Sequence, residues 1–245
     1  MTTRFAKAIE KGGNELHCLI CEAPLLHSLS WRALFFLRSE EKICRACKDN
    51  FIRIEGRTVC PKCGRPQESE ELCGDCLKWE ADPLTRSLLR QNRSVYIYNT
   101  FMKEVLARFK FRGDAELVFA FAPLFINAFH QYYRRTPAVL VPIPLSEERK
   151  AERGFNQAER LASLLKKPVM HPLIRIENEK QSKKSRKERI KPKTVFRTEK
   201  GSVKNLDIIL IDDLYTTGAT LHHAAACLMT SGEAKSVSSF TLIRS

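Results

Sequence analysis

The run Ile208-Ile209-Leu210-Ile211-Asp212-Asp213-Leu214-Tyr215-Thr216-Thr217-Gly218-Ala219-Thr220 joins two carboxylates to a stretch of small, hydroxyl-bearing residues. Thr216, Thr217 and Thr220 supply hydroxyl donors and Gly218 a permissive backbone position, and an apolar helical pattern (Leu221, Ala224, Ala225, Leu228) follows directly. The four aliphatic residues ahead of the aspartates read as a strand buried on both faces. Strand, tight turn and helix together aim several backbone N–H groups at one point, where the positive end of the helix dipole favours an anion. Carboxylates at the end of such a strand accept hydrogen bonds from vicinal hydroxyls. The chemistry that fits is a phosphorylated ribose, with its phosphate in the turn and its sugar on the acids. The plainer alternative is a buried strand whose aspartates cap the next helix.

Cysteine spacing points to a second chemistry. Eight of the nine cysteines form four Cys-x-x-Cys pairs: Cys18/Cys21, Cys44/Cys47, Cys60/Cys63 and Cys73/Cys76. Each pair places two sulfurs on one side of a turn, and two pairs complete a tetrahedral site, so the four imply two zinc ions. Disulfides are the competing chemistry. No apolar secretory segment opens the chain, so a reducing compartment and zinc are expected. Pairing neighbours in sequence gives one site from Cys18, Cys21, Cys44 and Cys47 and another from Cys60, Cys63, Cys73 and Cys76, with the shorter loops to close. Interleaved pairing stays open. Four thiolates leave no position for water, which makes each zinc structural rather than catalytic. His17 and His27 read as surface residues, and Cys227 as a packed small hydrophobe on the last helix.

A third cluster is cationic. Val141-Pro142-Ile143-Pro144 stiffens the exit of another strand, and Arg149, Lys150 and Arg153 follow, ahead of Gly154-Phe155-Asn156-Gln157-Ala158. In an α/β sheet these cations face the first loop, where a pyrophosphate needs compensation; a solvated helix start is the alternative. Farther on, Lys180 to Lys193 carries eight Lys or Arg against one Glu, half of the formal net charge of +14. By its charge this strip reads as a track for nucleic-acid phosphates through Lys183, Lys184, Arg186 and Lys187, or as a solvated charge run. Phe111, Tyr132 and Tyr133 are candidate stacking residues that read better as core.

The elements that must position these groups follow from periodicity. Residues 1–90 hold the knuckles and are expected to form a small zinc-binding domain, with Trp31, Phe35 and Phe36 as an apolar patch. Residues 91–245 alternate strands and helices: strands near 94–99, 138–141, 207–212 and 237–243, helices near 101–111, 157–165 and 221–229, and one capped by Asp114 that runs to Tyr133. This predicts an α/β domain with an open, mostly parallel sheet whose ligands sit at the carboxyl ends of the strands. The most apolar stretch, Leu117 to Phe129, contains Pro123 and Asn127 and reads as a buried helix, so no membrane insertion is expected.

The run ending at Thr220 resembles the signature of type I phosphoribosyltransferases, which bind 5-phosphoribosyl 1-pyrophosphate (PRPP) with magnesium. That resemblance implies ribose binding by Asp212 and Asp213 and phosphate binding by Tyr215, Thr216, Thr217, Gly218, Ala219 and Thr220. Arg149 and Arg153 would face the pyrophosphate, and Gln181 and Arg189 would match lid residues. An Asn common in such lids is replaced around Lys191 and Pro192. Val-Pro-Ile-Pro, Arg-Gly-Phe-Asn-Gln and Asp-Asp-Leu-Tyr-Thr-Thr-Gly-Ala-Thr behind cysteine knuckles, with Lys110 to Asp114, are similar to the ComF family over essentially the whole chain. The resemblance implies a double zinc ribbon and a phosphoribosyltransferase-like domain acting in natural transformation. It also implies single-stranded DNA, a helicase-like competence partner and other DNA-uptake proteins as partners. The expected location is cytoplasmic, or peripheral at the inner face of the cytoplasmic membrane. A metabolic phosphoribosyltransferase of the amidophosphoribosyltransferase kind, carrying a zinc ribbon, is the alternative. A donor site is legible; an acceptor, and hence turnover, is not.

Overall fold

The computed structural model describes residues 16–25, 42–111, 114–176 and 195–245. His27, Trp31, Phe35, Phe36, Arg112, Gly113, Gln181, Lys183, Lys184, Arg186, Lys187, Arg189, Lys191 and Pro192 lie outside the described residues, as does the side chain of Phe111. The chain divides into two compact units, Met1–Asn50 and Phe51–Ser245. The cysteine-rich stretch is therefore shared, the first two pairs belonging to one unit and the last two to the unit that carries the sheet. Among the described residues no helix is long and apolar enough to cross a membrane.

In the first unit a turn at Cys18 to Cys21 is closed by the Cys18 amide donating to Ala23 O at 2.8 Å. Cys44 caps a short helix, α1 (Arg45–Asp49), through a bond from the Cys47 amide to its sulfur. His17 is exposed, in keeping with a surface role.

In the second unit four strands, β1 (Asn92–Ile97), β2 (Ala138–Pro142), β5 (Asp207–Tyr215) and β6 (Ser236–Arg244), form one sheet in the order β1-β6-β5-β2, every pairing parallel. Two short strands, β3 (Ile174–Arg175) and β4 (Phe196–Arg197), pair antiparallel as a separate ribbon. Burial on both faces explains the unbroken aliphatic run in β5: Ile208, Ile209, Leu210 and Ile211 are each at most 1% exposed. One face packs under α3 (Thr100–Phe111) and α4 (Val118–Tyr133), where Phe125, Phe129 and Tyr133 all meet Phe240. Pro123 sits inside α4, which remains a helix with Phe121, Phe125 and Phe129 buried. On the opposite face α7 (Ala219–Thr230) shares a core with Val141, Ile208, Leu210 and Val237. Cys60, Cys63, Cys73 and Cys76 belong to that same core, with α2 (Gly74–Ala81) rising from them.

Three local expectations change. β1 starts at Asn92, two residues early, because Asn92 is buried in a polar network: its amide donates to Cys63 O and Ser94 Oγ, and its oxygen accepts from Ser239 Oγ. Asp114 does not cap through its side chain; the carboxylate pairs with Arg108 at 3.1 Å, and the helix begins after a single 3-10 turn at Ala115–Leu117. β5 runs past Asp212 to Tyr215 because β6 pairs with it that far, Tyr215 opposite Arg244.

Candidate functional site

The site begins where the neighbours of β5 stop. Strand β2 pairs with β5 only as far as Pro142 opposite Ile211, and the Ile143 amide then donates to Ile211 O at 3.0 Å. Beyond that step Asp212 and Asp213 have β6 on one side only. Lys110 Nζ, from the last turn of α3, lies 2.5 Å from Asp213 Oδ2, and the Asp213 amide donates to Asp212 Oδ1 at 2.9 Å. Burial, and then the adjacent Asp213 charge, push the Asp212 carboxyl up to about 8. A carboxyl so held keeps its proton near neutrality and ionises when a cation arrives.

The segment leaving β2 is built joint by joint. Ser146 caps α5 (Glu147–Arg153) by accepting from the Arg149 amide, and Gly154 ends that helix in the left-handed region at φ 73°. Asn156 then caps α6 (Gln157–Ser163) by accepting from the Ala158 amide, while its own amide donates to Ile143 O. Gln157 accepts from Arg153 Nη1 at 3.1 Å and donates to Phe109 O, and Phe155 packs against Phe109 with ring centroids 5.5 Å apart. The Arg-Gly-Phe-Asn-Gln motif thus fixes Arg153 relative to the helix that carries Lys110. Arg153 is pushed below its ordinary value by burial and then by neighbouring Arg149, with Asp213 and Asp212 acting in the other direction.

Sequence reasoning missed Arg175. It lies on β3 and over the Phe196 ring at 5.6 Å, and its guanidinium is likewise pushed down by burial and then by Arg149, with Arg153 adding to that and Asp212 opposing it. The charges of Arg149, Arg153 and Arg175 act on one another and on Asp212, a grouping of mixed sign suited to a polyanion on a sugar. A lone Arg in a two-residue strand carries no periodicity, so only its position beside Arg149 reveals it.

Thr216, Thr217 and Gly218 form the turn between β5 and α7. Gly218 has φ 86°, and a Cβ there would lie 2.2 Å from Tyr215 Oη, so only glycine fits. Arg244 Nη1 donates to Tyr215 O at 3.1 Å and to Thr216 O at 2.7 Å, and Trp79 Nε1 donates to Thr217 O at 2.8 Å. In a trans peptide the N–H points opposite to the preceding C=O. Holding those three carbonyls from behind therefore turns the N–H groups of Thr216, Thr217 and Gly218 the other way. Among the described residues those three N–H groups meet no protein acceptor. Tyr215 is placed differently from the loop it was grouped with: its side chain is 2% exposed, under Arg244 at 4.6 Å, and faces the core rather than the turn's open side.

Each cysteine set is gathered in sequence order, the four sulfurs lying within 4.8 Å of one another: Cys18, Cys21, Cys44 and Cys47 in the first unit, Cys60, Cys63, Cys73 and Cys76 in the second. Separations of 3.6 Å (Cys21 to Cys44), 3.7 Å (Cys60 to Cys76) and 3.5 Å (Cys63 to Cys73) approach the edge of about 3.8 Å that a tetrahedron of 2.3 Å zinc–sulfur bonds requires. Backbone amides also donate to the sulfurs, Cys44 to Cys18 at 3.3 Å and Cys73 to Cys60 at 3.4 Å, as befits thiolates. The cysteines are free of disulfides, and the donor sets fit structural zinc. A hydrogen bond from Cys76, with help from Arg244, outweighs burial and holds the Cys63 thiol down at about 4.

Comparison with known proteins agrees with both parts. The chain matches the double zinc ribbon domain over residues 15–77 and the phosphoribosyl transferase domain over residues 116–245. It is 54% identical over 238 residues to the competence protein ComFC of Bacillus subtilis, spanning 96% of this chain and 99% of that one. Identity to the competence protein ComFC of Streptococcus pneumoniae is 34% over 230 residues, spanning 94% and 100%. The DNA utilization protein YhgH of Salmonella typhimurium is 28% identical over 233 residues, spanning 89% and 92%.

Proposed function

The chain belongs to the ComFC family of competence proteins, and from that premise we propose that it serves natural transformation by binding magnesium-PRPP at the end of β5 and handling single-stranded DNA during uptake. The observation that carries the ligand is the step at Ile211. Past it come two carboxylates and a turn of three unpartnered N–H groups, with the charges of Arg153 and Arg175 acting on Asp212, and this supports the reading. The turn from Thr216 to Thr220 holds the 5-phosphate, Asp212 and Asp213 the ribose hydroxyls, and the arginines the pyrophosphate. Magnesium, bound with the ligand, neutralises the pyrophosphate. Gln181 and Arg189 complete the lid, and Lys183, Lys184, Arg186 and Lys187 contact DNA phosphates. Zinc at each cysteine set folds the segments around it. The protein acts in the cytoplasm, at the inner face of the membrane, alongside a helicase-like competence partner.

Support for the DNA part is the charge of +14, half of it in the strip from Lys180 to Lys193. The test is genetic. A chromosomal Asp213→Asn allele is expected to depress transformation while growth without purines and pyrimidines stays normal. Auxotrophy with normal transformation would overturn the reading in favour of a metabolic transferase.

A further inference from the structure

The back of the phosphate turn is held by the second cysteine cluster. Arg244 is fully buried at the end of β6. Its Nη1 takes the carbonyls of Tyr215 and Thr216 and meets the Ser245 oxygen, while Nη2 donates to Cys63 Sγ at 3.2 Å. Among its described partners the cysteine sulfur is the one side-chain acceptor; no Asp or Glu carboxylate reaches it. A buried guanidinium needs counter-charge, and four thiolates around a divalent metal carry two negative charges in excess. The second connection is independent. Trp79 lies on α2, three residues after Cys76, and α2 starts from Cys73 as its cap. Its indole stacks on His222 of α7 with centroids 4.3 Å apart and planes 8° apart, and its N–H takes Thr217 O. A helix of eight residues has little stability of its own; Thr85 bonds Trp79 O and Lys62 pairs with Glu80, and a metal on Cys73 and Cys76 would anchor its first turn.

We propose that the Cys60/Cys63/Cys73/Cys76 centre is a strut for the phosphate turn, with Arg244 and Trp79 as positioning residues that hold the carbonyls of Tyr215, Thr216 and Thr217 and so present three successive N–H groups to the phosphate. Metal occupancy and phosphosugar affinity are then linked, and linkage is reciprocal: each ligand raises the other's affinity by the same factor. This rests on the phosphosugar reading given above and adds to it a device that reports the state of the zinc centre to the ligand site. It also accounts for the integration of this cysteine set into the core of the sheet.

The test titrates magnesium-PRPP into the zinc-loaded full chain by calorimetry, for wild type, Arg244→Gln, Trp79→Phe and Leu77→Ala, after counting zinc per chain. Arg244→Gln is expected to weaken binding about tenfold. Trp79→Phe keeps a ring on His222 but loses the N–H to Thr217, and is expected to weaken binding about fivefold; it also serves if Arg244→Gln fails to fold. Leu77, on the same helix but 56% exposed, leaves binding unchanged when replaced by Ala. The second readout is zinc release to a chelator, which PRPP slows at one of two sites in wild type and less in Trp79→Phe. Equal affinities in all four proteins, with zinc release indifferent to PRPP, would overturn the strut while leaving the phosphosugar site standing. Absence of binding by the wild type overturns the phosphosugar reading and the strut with it.

Discussion

Lys110 Nζ lies 2.5 Å from Asp213 Oδ2, so the last turn of α3 supplies the counter-charge for a carboxylate at the open step of the sheet. The pair is mostly shielded, with side-chain exposures of 20% and 11%, and Asp213 is the neighbour whose charge weighs on Asp212. Lys110→Met is therefore expected to weaken magnesium-PRPP binding by roughly tenfold or more, consistent with about 1.5–3 kcal/mol for a charge-assisted hydrogen bond. Calorimetry on the folded variant checks it, and unchanged affinity would remove Lys110 from the site.

Asp212 gives the protein a pH signature. Its folded value, about 8, lies above the ordinary carboxylate range, so the native state holds the proton more tightly than the unfolded chain does. The sign follows: this contribution is fully present below about pH 4 and is lost as pH rises toward 8. Asp212→Asn keeps the oxygen that accepts from the Asp213 amide and removes the titration. The variant is expected to melt higher than wild type at pH 8 in the absence of ligand, by on the order of a few kcal/mol, with a smaller difference at pH 6. Melting curves at the two pH values check both the direction and its decline. The stabilised variant should at the same time bind ligand poorly, the usual exchange of stability for function at a site.

Gly218→Ala tests the turn. A left-handed backbone costs a non-glycine residue on the order of 1–2 kcal/mol, and the new methyl would meet Tyr215 Oη at 2.2 Å. Tyr215 is buried in the core beside the second cysteine set, so the variant is expected to lose stability as well as to bind PRPP at least tenfold more weakly when folded and zinc-loaded. Circular dichroism and calorimetry together separate the two effects.

Much of this architecture was legible in the chain. The aliphatic run of β5, the small-residue turn and the apolar stripe of α7 each imposed one local structure, and the knuckle spacing identified the ligands before their grouping was known. What the sequence hid were contacts between distant residues. Arg175 is one cation in a two-residue strand, and Arg244 falls one residue beyond the expected strand although it is fully buried. Asn92 reads as a loop residue because its partners, Ser239 and Cys63, come from other elements. Tyr215 shares a motif with the turn, yet strand alternation and the pairing with Arg244 send its ring into the core. Pattern reports periodicity; it does not report which buried charge answers which.

The missed residue can be tested against the anticipated one. Arg175→Leu and Arg153→Leu are each expected to weaken magnesium-PRPP binding about tenfold. Each should have a smaller effect on a ribose 5-phosphate probe that lacks the pyrophosphate. Equal losses for both probes would place Arg175 elsewhere than beside the pyrophosphate.

The basic strip makes a prediction in salt. If about five of its cations contact single-stranded DNA, log affinity should fall against log salt with a slope near −3.5, about a hundredfold between roughly 50 and 200 mM. Replacing Lys183, Lys184, Arg186 and Lys187 by Gln should flatten the slope by nearly three units. A flat response in the wild type would remove nucleic acid from the account.

The central claim is that the step at the end of β5 is a magnesium-PRPP site. Its most direct test is calorimetric titration of magnesium-PRPP into zinc-loaded wild type and into Asp212→Asn/Asp213→Asn, both confirmed folded by melting. Saturable binding with one ligand per chain in the wild type, abolished by the double substitution, is the predicted result. No heat in the wild type, or equal affinity in the two proteins, would contradict the assignment.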